Sequence, residues 1–297
     1  MRNLKNILVA VNREDDSRLV LEKVEKLAKA SAANVYVIRV IYENIVESVI
    51  PATDDLHKIK TFIMQSEEEY LEGLLDEFRG RFNTSALATL WNKTVWEAIT
   101  AAAREFEADL IVKVANVESR IQEVMHTPDD WNLLRNSTVP VMLVKADAWG
   151  DQPVIVAAVN IIDEEHEELN LSILQEAAHL AIMLGGDLHI VNAFPLFEPW
   201  AGELVAGYDY EKVCVEVETD IRNRVTNLAR LHDVEFEMLY VREGKTSMVI
   251  KDVLEECSAE LLVMGSAGRS GVAGLVVGNT SEAILHLVNT DVVTLRS

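Results

Sequence analysis

Apolar runs of strand length recur along the chain, each closed by polar or turn-forming residues. In the first half they lie at 6–12 (NILVAVN), 34–41, 84–90, 109–114 and 139–145; in the second, at 153–160, 187–194, 234–241, 260–265 and 291–296. Between them the apolar residues take helical spacing. Val20, Val24, Leu27 and Ala28 follow the first run, and Ile173, Ala177, Leu180 and Leu184 follow its second-half counterpart. Short continuous strands alternating with amphipathic helices predict βαβ units and parallel sheets covered on both faces. The longest insertions follow the second strand of each half, YENIVESVIPATDD and FPLFEPWAGELVAGYD, and loops there are placed to cover a site at the strand ends.

The halves repeat one another. NILVAVN ends at Asn12 and VIVAAVN at Asn160, 148 residues on, while EADLIVKVA matches SAELLVMGS and TVPVMLVK matches NTDVVTLR at an interval of 151. A period near 150 is too long for a stacked solenoid, so each copy is expected to be a whole domain. The boundaries expected are 1–148 and 149–297, with the join at KADAWGDQP, where Gly150 and Pro153 punctuate.

Glycine is distributed unevenly. Of 13, five fall between Gly265 and Gly278, directly after the apolar run AELLVM, and only Gly73 and Gly80 precede Gly150. Gly265, Gly268 and Gly278 have the spacing G-x2-G-x9-G, and a helix is predicted to follow. Backbone N–H groups in such a loop, with the positive pole of a helix N-terminus, suit an anion. The bland reading is that the glycines permit tight turns while Asn279 or Ser281 caps the helix. The first half carries Val114, Val117 and Thr127 at the equivalent positions, followed by Pro128, Asp129 and Asp130. Phosphate binding is not expected there.

These features resemble the bacterial universal stress proteins in their tandem two-domain form. The resemblance rests on the strand ending AVN, the G-x2-G-x9-G spacing after the fourth strand, and the final helix and strand. TPDDWNLLR, GRSG and GNTSE bring it nearest to the E-type members. It implies an α/β chain of two tandem doubly wound, Rossmann-like domains, each a five-stranded parallel sheet of order 3-2-1-4-5. In such a sheet a ligand crevice lies outside the C-terminal ends of strands one and four. The residues implied at this crevice are Asn160, Gly265, Gly268, Arg269, Gly278, Asn279, Thr280 and Ser281, and the cofactor implied is ATP or another nucleotide in the second domain. Two departures weaken the match: Asn279 stands where the family has Ser or Thr, and Asn160 where many nucleotide binders have Asp. Family members dimerise through the last strand, so the resemblance also implies an intramolecular pair of halves, with a homodimer as an extension.

Composition removes several classes. Forty-nine acidic residues against 27 basic give a net charge of −22, which opposes direct nucleic-acid binding. No apolar run approaches a membrane span, and the N-terminal run is too short for a signal sequence, so the expected location is cytoplasmic. Cys214 and Cys257 have no metal-site or disulfide-framework spacing. GKTS at 244–247 lacks the first glycine of a phosphate loop, Leu239 standing in its place. Ser270 in GRSG fails the nucleophile-elbow pattern at Val272. The acidic run around His166 reads as a solvated first turn of a helix. No catalytic set emerges; a slow ATPase would have only Arg269 nearby. Two functions stay open: a non-catalytic stress-response protein with a nucleotide or phosphorylated-metabolite site in its second domain, and a scaffold or interaction protein whose two sites are both vestigial.

Overall fold

The computed structural model describes the chain except residues 1–3, 14–15, 44–53, 116–127, 146–147, 164–165, 196–209, 267–278 and 297. Two compact units divide it, Asn3–Ala148 and Trp149–Ser297. In the first, the order is β1 (Asn6–Ala10), α1 (Asp16–Ser31), β2 (Asn34–Ile41), α2 (Asp54–Asp76), β3 (Asn83–Trp91), α3 (Val95–Glu105), β4 (Leu110–Val114), α4 (Pro128–Asn136) and β5 (Val141–Val144). The second continues with β6 (Val154–Ala158), α5 (Glu167–Leu184), β7 (Asp187–Phe194), α6 (Tyr210–Leu231), β8 (Met238–Glu243), α7 (Thr246–Glu256), β9 (Leu261–Gly265), α8 (Asn279–Leu287) and β10 (Asp291–Leu295).

All pairings within each unit are parallel. β1 lies between β2 and β4, with β3 beyond β2 and β5 beyond β4. The second unit repeats this: β6 lies between β7 and β9, flanked by β8 and β10. Strands of this kind are apolar on both faces because helices cover both. Ile7, Leu8 and Val9 in β1 are fully buried, as are Leu261, Leu262 and Val263 in β9. The register carries the repeat faithfully, pairing Ile111 with Val141 and Leu262 with Val292, 151 residues on.

Each unit anchors its own start. The Asp109 carboxylate accepts from the backbone N–H groups of Lys5 (2.8 Å) and Asn6 (3.0 Å), and the Glu260 carboxylate accepts from Gly150 N (2.5 Å). Beside that contact, the buried Trp149 indole donates to the buried Asp291 carboxylate at 2.9 Å.

One strand differs from its expected span. A strand was expected at 234–241, but β8 starts at Met238. Val234 instead closes α6: Asp233 takes a left-handed φ of 54°, Val234 N donates to Ala229 O at 2.9 Å, and the Val234 side chain is buried. That is the Schellman way of satisfying the last helical carbonyls, in which an apolar residue after the left-handed position seals the end. A β-branched residue favours strands in general; here the helix end claims it.

Candidate functional site

The second unit's crevice is built at the ends of β6 and β9. Asn160 lies two residues beyond β6. Its backbone is held on both sides by one side chain: Asn160 N donates to Asn170 Oδ1 and Asn170 Nδ2 donates to Asn160 O, both at 2.8 Å. Asn170 sits in the first turns of α5 and is buried, so this bracket fixes where the chain leaves the sheet while the Asn160 side chain remains exposed. Asn192, fully buried near the end of β7, continues the arrangement, accepting from Ile161 N (3.0 Å) and donating to Ala193 O (3.1 Å). Buried amides of this kind need such partners to offset desolvation.

Gly265, the last residue of β9, has no left-handed φ. Its lack of a side chain serves close packing instead. A Cβ there would come 2.6 Å from Leu169 Cδ2, and Leu169 is itself buried in the first turn of α5. The Gly265 carbonyl accepts the hydroxyl of Ser281 at 3.0 Å, from the third residue of α8. Gly265 and Ser281 are thus brought together, and Asn279 and Thr280 open α8 beside them. Gly268, Arg269 and Gly278 lie outside the described residues, as do most of the two long insertions.

The first unit has the same framework and the opposite chemistry. Asn12 likewise lies two residues beyond β1, with its carbonyl accepting from Ser17 Oγ (2.7 Å) and Tyr70 Oη (3.4 Å). Arg39, the counterpart in β2 of Asn192, pairs with the buried Glu67 of α2, which also takes Arg13 at 3.0 Å. At the end of β4, Lys113 Nζ donates to Val114 O (2.9 Å) and lies 2.7 Å from the Asp130 carboxylate. Ion pairs therefore fill the strand ends where the second unit carries amides, a glycine and a hydroxyl.

Sequence reasoning missed Asn170, Asn192, Leu169 and the Lys113–Asp130 pair. The signal was present for two of them: a lysine inside LIVKV and an asparagine inside LHIVNAF are polar groups in strands buried on both faces, which require partners. Leu169 and Asn170 gave no such signal, because first-turn residues of a helix are equally at home in solvent. Gly244 has φ 146° and precedes α7 in a turn, and no cluster of three metal-ligating side chains occurs among the described residues. Cavities of about 470 Å³, lined by Arg13, Arg18, Tyr70 and Glu77 among others, and about 430 Å³, around Trp96 and Arg104, lie in the first unit, away from the candidate residues. No helix among the described residues is long and apolar enough to cross a membrane.

Comparison with known proteins agrees with this duplicated architecture. The model of the universal stress protein family matches twice, at residues 3–145 and 156–296. Universal stress protein E of Photorhabdus laumondii is 24% identical over 100% of this chain and 96% of its own length, and that of Escherichia coli K12 is 23% identical over 100% and 95%. Among solved structures, a universal stress protein from Archaeoglobus fulgidus shares the fold with a TM-score of 0.65 at 19% identity, covering 100% of this chain and 99% of its own. A structure from Pseudomonas aeruginosa UCBPP-PA14 assigned to the same proteins gives 0.74 at 22%, covering 99% and 93%. Two matches to one family model, spanning nearly the whole chain, establish that this protein belongs to the universal stress protein family, as a tandem two-domain member similar along its full length to universal stress protein E.

Proposed function

We propose that this universal stress protein is non-catalytic and cytoplasmic, and that its second unit binds a nucleotide or another phosphorylated metabolite at the segment from Gly265 to Ser281, with Asn160 facing it. The observation that carries the reading is the spacing of Gly265, Gly268 and Gly278 directly ahead of the α8 N-terminus. Such a loop offers backbone donors and a helix pole to an anion. The first unit, its strand ends occupied by Lys113–Asp130 and Arg39–Glu67, stays empty, and the two units act together as an intramolecular pair.

A second reading, a scaffold with both sites vestigial, is favoured by one feature: packing against Leu169 accounts for Gly265, and the Ser281 proton is already committed to the Gly265 carbonyl. Calorimetry against ATP, ADP and AMP decides between them. One equivalent bound by the wild type and none by Gly268→Val is the expected result, with Val117→Gly adding no second site because Asp129 and Asp130 still stand at the start of α4. Equal binding by Gly268→Val and the wild type, or two equivalents bound, refutes the site as drawn; no binding at all supports the scaffold.

A further inference from the structure

Strand four and the helix after it meet at one junction in each unit, and the two units close it differently. α4 and α8 begin 151 residues apart, at Pro128 and Asn279, matching the interval in sheet register. Lys113 is therefore equivalent to Met264, Val114 to Gly265 and Asp130 to Ser281. In the second unit the Ser281 hydroxyl spans the junction directly, donating to the carbonyl that ends the strand. An ionised aspartate has no proton to give that carbonyl. The first unit supplies the donor from the strand itself: Lys113 Nζ donates to Val114 O and meets the Asp130 carboxylate at 2.7 Å, with the two side chains 5% and 0% exposed. One hydroxyl has been replaced by a three-part bridge of carboxylate, ammonium and carbonyl.

We propose that Lys113 and Asp130 form a permanent internal latch, which takes the place of the Ser281 hydroxyl by fixing α4 on β4 and so holds this junction of the first unit together without a bound ligand. Burial makes the latch decisive. Separating two charges withdrawn from water is costly, so α4 cannot leave β4 without breaking a buried ion pair. Asp130 lies in the first turn of α4, where the helix pole adds to the lysine in holding the negative charge. An anion could gain the ammonium of Lys113 only by breaking the pair. The inference uses side chains of the first unit alone and does not depend on what the second unit binds.

Hydrogen exchange on the full chain tests it with Lys113→Met, Asp130→Ser and the double variant, which copies the Met264–Ser281 combination. Each single change is expected to speed exchange in α4 by about tenfold or more, because it removes one charge of a buried ion pair, while α8 stays at its wild-type rate. The double variant removes both charges and is expected to return α4 to within about threefold of wild type. If neither single variant accumulates as folded protein, circular dichroism of the double variant decides: a folded double supports the latch, an unfolded one overturns it. Single variants with wild-type α4 exchange, or a double variant as fast as the faster single, also overturn it. Added ATP is expected to leave α4 exchange unchanged in the wild type, and slower exchange there would mean that the first unit was not already closed. ATP without effect on either helix supports the latch and counts against a nucleotide site in the second unit.

Discussion

Two half-buried imidazoles give this protein a pH dependence near neutrality. His179 and His189 both have pKa values below the ordinary 6.5 because burial disfavours the charged ring; for His189 the neighbouring Asp187 and Glu237 only partly offset it. A depressed folded-state pKa means that the unfolded chain takes the proton first, so the stability due to neutral burial is intact above about pH 6.5 and is lost as pH falls below it. Glu25 and Glu77 add a second window. Burial pushes the Glu25 carboxyl up, and hydrogen bonds from Arg81 and Lys29 outweigh it; for Glu77 the Arg18 hydrogen bond dominates. Both carboxyls sit below the ordinary 4.5, so their contribution holds above that value and disappears beneath it. Urea midpoints are expected to fall from pH 7.5 to 5.5 and again below 4.5, with His189→Phe shrinking the first fall and leaving the second. Lys29, one helical turn from Glu25, and Asp187, two residues from His189 in one strand, were legible locally, whereas Arg81, Arg18 and Glu237 are partners that only the fold brings beside these groups. Lys113 differs, because a cation inside an apolar strand announces a partner before the partner is known.

Helix ends account for much of the chain's economy with glycine. α3, α6 and α7 finish on left-handed residues other than glycine, Glu107, Asp233 and Ser258, each followed by a backbone bond reaching five residues back: Ala108 N to Ala103 O, Val234 N to Ala229 O, and Ala259 N to Leu254 O. Among the described residues, α5 is the helix that uses glycine there, at Gly185. A side chain in this conformation costs about 1 kcal/mol that glycine avoids. Ser258 is exposed, so Ser258→Gly is expected to stabilise the second unit by roughly 0.5–1 kcal/mol, read as a raised urea midpoint. A gain of zero or a loss would show that the seryl side chain contributes something the left-handed backbone does not explain. The alternation of helices and strands was legible in the apolar spacing, but these ends were not: Val234 looks like strand, and nothing local says that the preceding Asp233 turns left-handed.

Duplication has produced one chain with two chemistries on one framework. The matched intervals of 148 and 151 residues made the repeat visible, and the register of β4 with β5 and of β9 with β10 carries the second of them residue for residue. The difference in chemistry that bears on a ligand shows at the strand ends. Arg39 corresponds to Asn192 in the repeat, Lys113 to Met264, and Asp130 to Ser281; each exchange swaps a charge for a neutral group at a position that is buried or nearly so. Absence of a phosphate loop in the first unit could be read from its missing glycines, whereas its replacement by ion pairs required the fold. With a net charge of −22, neither unit offers a phosphate backbone the cationic surface that long-range attraction needs.

The bond between Trp149 and Asp291 bears on how the chain can be divided for study. The family match to the second unit begins at residue 156, which would suggest cutting after the join, yet the indole at 149 and the amide of Gly150 are fastened to Asp291 and Glu260 of that unit. A fragment starting at 152 keeps all of β6 but forfeits both contacts, leaving a fully buried carboxylate without its indole donor. Loss of one such bond costs about 1–3 kcal/mol. The fragment 149–297 is therefore expected to melt several degrees above 152–297, and equal melting of the two would show that Trp149 is merely tethered there. For anyone cutting the chain, the tryptophan belongs with the second unit and not with a spacer.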